Sequence, residues 1–210
     1  MIADKMLKSL AEAAQLTHHA RCDVSALIAW KTALTQAGEK ISVEDLLLHR
    51  LVECLRRHPA MNGTIAGREI CLHSAVHLSV AMALPGNLLV APTIFDADRK
   101  SVAELRAARR DLSARAKANQ LSVTEMTGGT FTLSNLGLTR VHHFTPILNV
   151  PQIGILGVGR VEDRACKAAD GGIDWRPMMG LSLTFDHRAV DGAPAADFLT
   201  DLCETIERRP

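Results

Sequence analysis

The sequence predicts an α/β protein with a single core, and three observations predict it. Apolar residues recur at helical spacing through the first quarter of the chain and again at its end. The middle instead carries short β-compatible apolar runs bounded by glycine and turn residues. The 210 residues, 47% hydrophobic and 22% charged, suffice for one core and would make two full domains cramped. A formal net charge of +1 gives no global attraction to polyanions, so nucleic acid is not expected as a partner. No run approaches the roughly 18 unbroken apolar residues of a membrane span, so no membrane is expected either.

The elements follow in order. Ile2, Met6, Leu7, Leu10 and Ala14 recur at spacings of three and four, which predicts a helix over residues 1–14, followed by an extended piece over Leu16 to Cys22. Asp23 and Ser25 are caps for a second helix through Leu27, Ile28, Trp30 and Leu34, ended near Gly38. Ser42 with Asp45 resembles a capping box for a third helix carrying Leu46, Leu47, Leu51, Val52 and Leu55, stopped at His58-Pro59. From Glu69 the period changes to two, and Leu84 to Asn87 (LPGN) is turn chemistry before the apolar run Leu88 to Ile94, which predicts a hairpin. Ser101 opens a helix over Val102 to Lys117. Phe131 to Gly137, Gln152 to Val158 and Met179 to Phe185 read as buried strands, with a loop at Gly171-Gly172. Pro194 sits in the first turn of a final helix whose stripe is Ala195, Phe198, Leu199, Leu202 and Ile206.

The amino terminus is amphipathic, carries Asp4 and Glu12, and lacks the apolar centre and cleavage site of a secretory signal. Five cysteines (Cys22, Cys54, Cys71, Cys166, Cys203) at irregular spacings, without a CxxC, read as reduced thiols of a cytoplasmic protein, mostly small core residues. His73 and His77, and the pairs His18-His19 and His142-His143, have no Cys, Asp or Glu completing a recognisable ligand spacing, so no metal is expected. Arg99 to Lys117 holds seven basic and two acidic residues, with Arg106, Arg110 and Lys117 on one helical face. That is a solvated face or a seat for anionic phosphates. The string GILGVG, Gly154 to Gly159, lacks the lysine and following helix of a phosphate loop.

The string FDHRAVDGA, Phe185 to Ala193, is the most informative. It places a histidine at the end of an apolar strand, an aspartate four residues later and a glycine at the turn into the last helix. Strand ends present functional side chains, and imidazole suits proton transfer near neutrality, so His187 is a general-base candidate. Read alone, the same residues describe a histidine hydrogen-bonded in a turn.

Other segments accompany it: GGTFTLSNLG at Gly128 to Gly137, FTPILNVPQIGILGVG at Phe144 to Gly159, KISVEDLLLHRLVECLRRHP at Lys40 to Pro59 and LSVAMALPGNLLVAPTIFDADRKS at Leu78 to Ser101. Over nearly the whole chain, and in family order, these segments resemble the catalytic domain of the dihydrolipoamide acyltransferases, core components of 2-oxo acid and acetoin dehydrogenase complexes. The resemblance implies a chloramphenicol acetyltransferase-like fold, two layers of mixed β-sheet and packed helices, over residues 1–210 as a single catalytic domain. It implies a homotrimer or a multiple of three with active sites between subunits. It also implies acyl transfer between dihydrolipoamide and coenzyme A thiols. Coenzyme A is then a substrate, the lipoyl group comes from a separate domain, and the partners are that lipoyl domain and the other subunits of the complex.

The residue types suit that reaction. A thiol of pKa about 8.5 is mostly protonated at neutral pH, so an imidazole of pKa about 6.5 is a suitable base for it. By the resemblance, His187 is that base, Ser134 donates a hydrogen bond to the tetrahedral oxyanion, and Asp191 fixes the loop and the imidazole. A serine before Asn-Leu-Gly is, by itself, ordinary turn chemistry.

The sequence also departs from the family pattern. Leu88 stands near where family members commonly have glycine, and Ala91 where threonine is common. The family's arginine-rich start, lipoyl domain, peripheral-subunit-binding domain and apolar C-terminal tail are not among these residues, which points to an excised domain or a stand-alone relative and to isolated trimers. FDHRAVDGAPAADFL most resembles pyruvate- and acetoin-linked members, and only Arg188 and Arg140 offer a cation near the two strand ends, so acetyl is the expected acyl group. Ala14 to Val24 (AQLTHHARCDV) resembles acetoin- and 2-oxoglutarate-linked branches, so succinyl stays open. A chloramphenicol-type acetyltransferase and a non-catalytic scaffold core are the remaining alternatives.

Overall fold

A mixed sheet forms the middle of the molecule and sets the position of everything else. The computed structural model describes residues 2–86 and 88–209; Met1, Pro210 and Asn87, the last residue of the expected turn, lie outside them. In chain order the elements are α1 (Ile2–Glu12), β1 (Gln15–Asp23), α2 (Ser25–Gln36), α3 (Val43–Arg57), β2 (Gly63–Ala66), β3 (Glu69–Leu72), β4 (Leu78–Leu84), β5 (Leu88–Val90), β6 (Thr93–Ile94), α4 (Val102–Lys117), α5 (Val123–Thr127), β7 (Phe131–Asn135), β8 (Gly154–Lys167), β9 (Ile173–Asp186) and α6 (Gly192–Glu207). The sheet runs β1-β9-β8-β7-β4-β5, with β6 also paired to β4. β4, β7 and β8 are parallel neighbours, while β1-β9, β8-β9, β4-β5 and β4-β6 are antiparallel.

Alternation along the strands divides the sheet into two faces. Leu78 and Val80, Phe131 and Leu133, Leu156 and Val158, and Met179, Leu181, Leu183 and Phe185 join one buried cluster with the apolar stripes of α2, α3, α4 and α6. The opposite parity carries small and polar residues: Ser79, Thr132, Ser134, Gly157, Ser182 and Thr184. Ser42 and Asp45 form the expected capping box on α3, and Ser101 with Glu104 forms another on α4.

Segment 138–150 lies across this second face, and glycines admit it. A Cβ on Gly159 or Gly180 would come within 1.9 Å of the His142 carbonyl oxygen, and one on Gly157 within 2.8 Å of the Phe144 ring. The segment is tied down by Ser9 Oγ donating to the Leu148 carbonyl at 2.7 Å and by the Leu148 amide donating to Gln15 Oε1 at 3.0 Å. Gly157 and Gly159 of GILGVG therefore form part of a trough for the chain itself, whereas Gly154 faces Phe131 and Met61 of the core.

Several expectations need correction. Glu69–Leu72 does not join the large sheet: it pairs with β2, a strand too short to show periodicity, in a separate hairpin. β4 and β5 pair antiparallel as the expected hairpin has it, with Leu84 opposite Leu88. β8 and β9 extend well past their apolar segments as a ribbon in which Arg164 pairs with Glu162 and Arg176 with Asp174. Val24 is the N-cap of α2, and Asp23 Oδ1 accepts from the Ser25 amide at 2.8 Å. On α4 the expected face of Arg106, Arg110 and Lys117 is half-buried to exposed, as the solvated reading has it, while Arg109 pairs with Glu44 and Asp45, and Arg115 with Asp111 and Glu125. The exposed positions of that helix read Ala103, Glu104, Ala107, Arg110, Asp111, Ala114 and Lys117.

Because the obstacle at Gly159 is backbone and cannot rotate away, Gly159→Ala should displace the overlying segment. A loss of about 2 kcal/mol in denaturant unfolding is expected, within the range for overpacking. Unchanged stability would mean that the segment does not press on the sheet.

Candidate functional site

β9 delivers its last residue, Asp186, to a buried position at 2% exposure, and the loop that follows is built on that carboxylate. Asp186 Oδ1 accepts from the Arg188 amide at 3.0 Å, and both carboxylate oxygens accept from the Arg188 guanidinium at 2.6 to 3.1 Å. Its backbone carbonyl accepts from the Ala189 and Val190 amides at 2.9 and 3.1 Å. Burial works to raise the Asp186 pKa, but the hydrogen bonds and charge of Arg188 outweigh it and hold the carboxyl below its ordinary value.

His187 is thereby fixed through its backbone, its amide donating to the Ala14 carbonyl of the α1-β1 connection at 2.8 Å. Its ring is 44% exposed, lies 5.9 Å from the Phe185 ring, and has Nδ1 3.6 Å from Asp191 Oδ1. That distance is a loose ion pair rather than a hydrogen bond. Asp191 is the N-cap of α6, yet its side chain takes no capping bond and points into solvent, so it is free to face the imidazole. An Nδ1 facing a carboxylate leaves Nε2 as the atom for a substrate proton.

Ser134 lies elsewhere. It lines a cleft of about 340 Å³ together with Leu89, Val90, Phe144, Ile147 and Ile155, so its hydroxyl sits in largely apolar surroundings. Lys5 of α1 also borders this cleft, and burial lowers its pKa. Sequence reasoning missed this cation because α1 is remote from both motifs in the chain. A cleft of about 640 Å³ around Asp23, Arg176 and Glu207 contains none of the predicted site residues.

The register shows how far apart the two halves are. Ser134 is opposite Gly157, which is opposite Ser182, and His187 lies five residues beyond Ser182. The offset is about 16 Å along the strand and about 10 Å across it. One chain brings His187 and Asp191 together and does not bring Ser134 to them.

The histidines considered for metal are engaged separately: His73 Nε2 with Thr64, His77 Nδ1 with the Asp96 amide, and His19 Nδ1 with Ser182. Among the described residues, Cys54, His58 and Asp201 do form one group with metal-ligand geometry. Cys-x-x-x-His on one helix face was the available sequence signal, but Asp201 could be placed only by the fold.

A family model described as 2-oxoacid dehydrogenases acyltransferase (catalytic domain) matches residues 1–210. The chain is 39% identical over 212 residues to the dihydrolipoyllysine-residue acetyltransferase component of the acetoin cleaving system of Bacillus subtilis, covering 99% of this chain and 53% of the relative. It is 35% identical over 215 residues to a probable succinyltransferase component of the 2-oxoglutarate dehydrogenase complex of Schizosaccharomyces pombe, covering 98% and 47%. The chain thus spans about half the length of the curated relatives it matches. A solved Azotobacter vinelandii dihydrolipoamide acetyltransferase, studied for the role of a serine, a histidine and an asparagine in its mechanism, superposes with a TM-score of 0.91 at 31% identity, covering 98% of this chain and 86% of that one. Chloramphenicol acetyltransferase shares the fold, with a TM-score of 0.61 at 15% identity, covering 97% and 92%.

The depressed Asp186 pKa makes a signed prediction. A carboxyl held below its unfolded value of about 3.9 contributes stability above that pH and loses it as pH falls through the folded value. Arg188→Leu leaves the buried carboxylate unpaired and should cost about 2 kcal/mol at neutral pH, discounted because the arginine is partly exposed. The deficit should shrink below about pH 4, where the carboxyl protonates. Urea unfolding across that range measures it, and a deficit independent of pH would remove the ion pair from the account.

Proposed function

The chain belongs to the 2-oxoacid dehydrogenase acyltransferase family, and from that premise we propose that it transfers an acyl group between the thiols of dihydrolipoamide and coenzyme A. The observation that carries the reading is His187 at the end of β9, held by its backbone over the buried Asp186 with Asp191 beside Nδ1. His187 Nε2 takes the proton of the coenzyme A thiol as its sulfur attacks the thioester carbonyl. Ser134 Oγ donates to the oxyanion that forms, in an apolar cleft where such a donor is worth roughly 3 kcal/mol. Collapse breaks the bond to the lipoyl sulfur, which leaves with the proton carried by His187. Asp191 steadies the imidazole and the charge it acquires.

Ser134 and His187 of one chain are too far apart to share a reacting carbonyl, so the working unit is a homotrimer or a multiple of three, with each site assembled from two copies. The lipoyl group arrives on a separate domain, and the other partners are subunits of a dehydrogenase complex in the cytoplasm. Acetyl is the proposed acyl group, since the Ser134 cleft is mainly apolar. Succinyl is the second reading, and the observation favouring it is Lys5 at the edge of that cleft. A chloramphenicol-type acceptor is disfavoured by the family match along the whole chain, and a bare scaffold by the presence of His187, Asp191 and Ser134 together.

His187→Ala should lower kcat on the order of 10² to 10⁴ and Ser134→Ala roughly 10² to 10³, both with KM nearly unchanged in trimeric, folded protein. Asp191→Asn should be milder than either. Co-expressing His187→Ala with Ser134→Ala chains should regain turnover that neither shows alone, because a mixed trimer contains sites with one intact residue from each copy. No regain would place both residues of a site on one chain.

For the acyl group, acetyl coenzyme A should give a higher kcat/KM than succinyl coenzyme A. The reverse preference, abolished by Lys5→Met, would establish the succinyl reading.

A further inference from the structure

α3 and α6 meet at a cluster for which acyl transfer has no use. Cys54 of α3 lies four residues before His58, the C-cap residue of that helix, and Asp201 of α6 faces both. Cys54 Sγ is 3.5 Å and His58 Nε2 2.9 Å from the same oxygen, Asp201 Oδ2. All three ligand atoms lie within 4.8 Å of one another. We propose that Cys54, His58 and Asp201 are three ligands of a divalent, borderline-soft metal ion of the zinc type, which clamps α3 to α6.

The donor set and its spacing carry the argument. Sulfur, imidazole nitrogen and carboxylate oxygen are the ligands of zinc and cobalt, whereas magnesium and calcium take oxygen alone. Metal-ligand bonds of about 2.0 to 2.3 Å place neighbouring ligands of a tetrahedron about 3.3 to 3.7 Å apart. The two separations that involve Asp201 Oδ2 need adjustments of a few tenths of an ångström to reach that range, and the third, Cys54 Sγ to His58 Nε2, lies within 4.8 Å. His58 and Asp201 are each about a quarter exposed, which opens a route for the ion and leaves its fourth position to water.

The surroundings complete the site. Arg57 donates to both oxygens of Asp201 at 3.0 and 3.1 Å and is itself held by Glu53 at 3.0 Å, while the His58 ring packs edge-on against Phe198. Ligating carboxylates are oriented by such outer partners. Arg50 and Arg57 balance Glu53 and Asp201, so a divalent ion with a Cys54 thiolate adds one positive charge to the cluster. The ion displaces the thiol proton, which goes to solvent, so one proton leaves per ion bound and no electron moves. A cluster serving only as a helix-helix hydrogen-bond network has no reason to respond to metal.

The test is titration of the chelator-treated full chain with Co²⁺, followed by displacement with Zn²⁺. One Co²⁺ per chain is expected, with a thiolate-to-cobalt charge-transfer band that zinc abolishes. Cys54→Ala should lose the band and weaken binding at least tenfold. Because Cys54 is buried, His58→Asn serves as the second variant: its side chain is partly exposed, the fold should survive, and the affinity should fall similarly. A wild-type protein without the band, or a band that persists in both variants, overturns the proposal.

Discussion

Period-two alternation along β9 governs both faces of the molecule. Met179, Leu181, Leu183 and Phe185 fill the core beneath the helices, which leaves Gly180, Ser182, Thr184 and Asp186 on the other face. A shift of one residue would drive a carboxylate into the helical core and expose four large apolar groups, so the register has no near alternative. β1 and β8 pair with β9 on its two sides and inherit that register. The overlying segment 138–150 then needs glycine where its backbone meets the sheet, at Gly159 and Gly180.

The same register separates the two halves of the chemistry. Ser134 sits in the row that crosses Gly157 and Ser182, in a cleft walled by Phe144 from the overlying segment. His187 lies past the end of β9, where its amide reaches the Ala14 carbonyl. Neither half is complete. Among the described residues the imidazole has only a loose carboxylate neighbour and the serine has no base, so the proposed acyl transfer would need another copy to supply what each lacks. In this reading the interface is part of the site itself.

The longer helices were legible because their signals are local: the capping box at Ser42, the helix start at Ser101 and the stripe from Ala195 to Ile206 depend on residues within a few positions of one another, whereas α5, five residues long, was not read. The apolar centres of β7, β8 and β9 were legible for the same reason. What escaped was non-local. β2 is four residues long and has identity only through its pairing with β3. The outer halves of β8 and β9 mix polar and apolar residues and are half-buried to exposed, so their strand character comes from each other. At the site, the family motif directed attention to His187, Ser134 and Asp191. The ion pair beneath His187 and the approach of Lys5 to Ser134 appear only once buried and exposed carboxylates, and distant elements, can be distinguished.

The short link between β9 and α6 explains why an exposed imidazole can still be well placed. Asp186 belongs to the sheet and Asp191 to the helix, and only four residues separate them. Asp186 is fixed by Arg188 and by its strand neighbours, while α6 is fixed by its buried stripe and by Asp201 on Arg57 of α3. His187 is therefore located by two packed layers rather than by contacts of its own ring. Such an arrangement leaves the imidazole nitrogens free of competing hydrogen bonds from the described residues, which is what the proposed proton transfer requires.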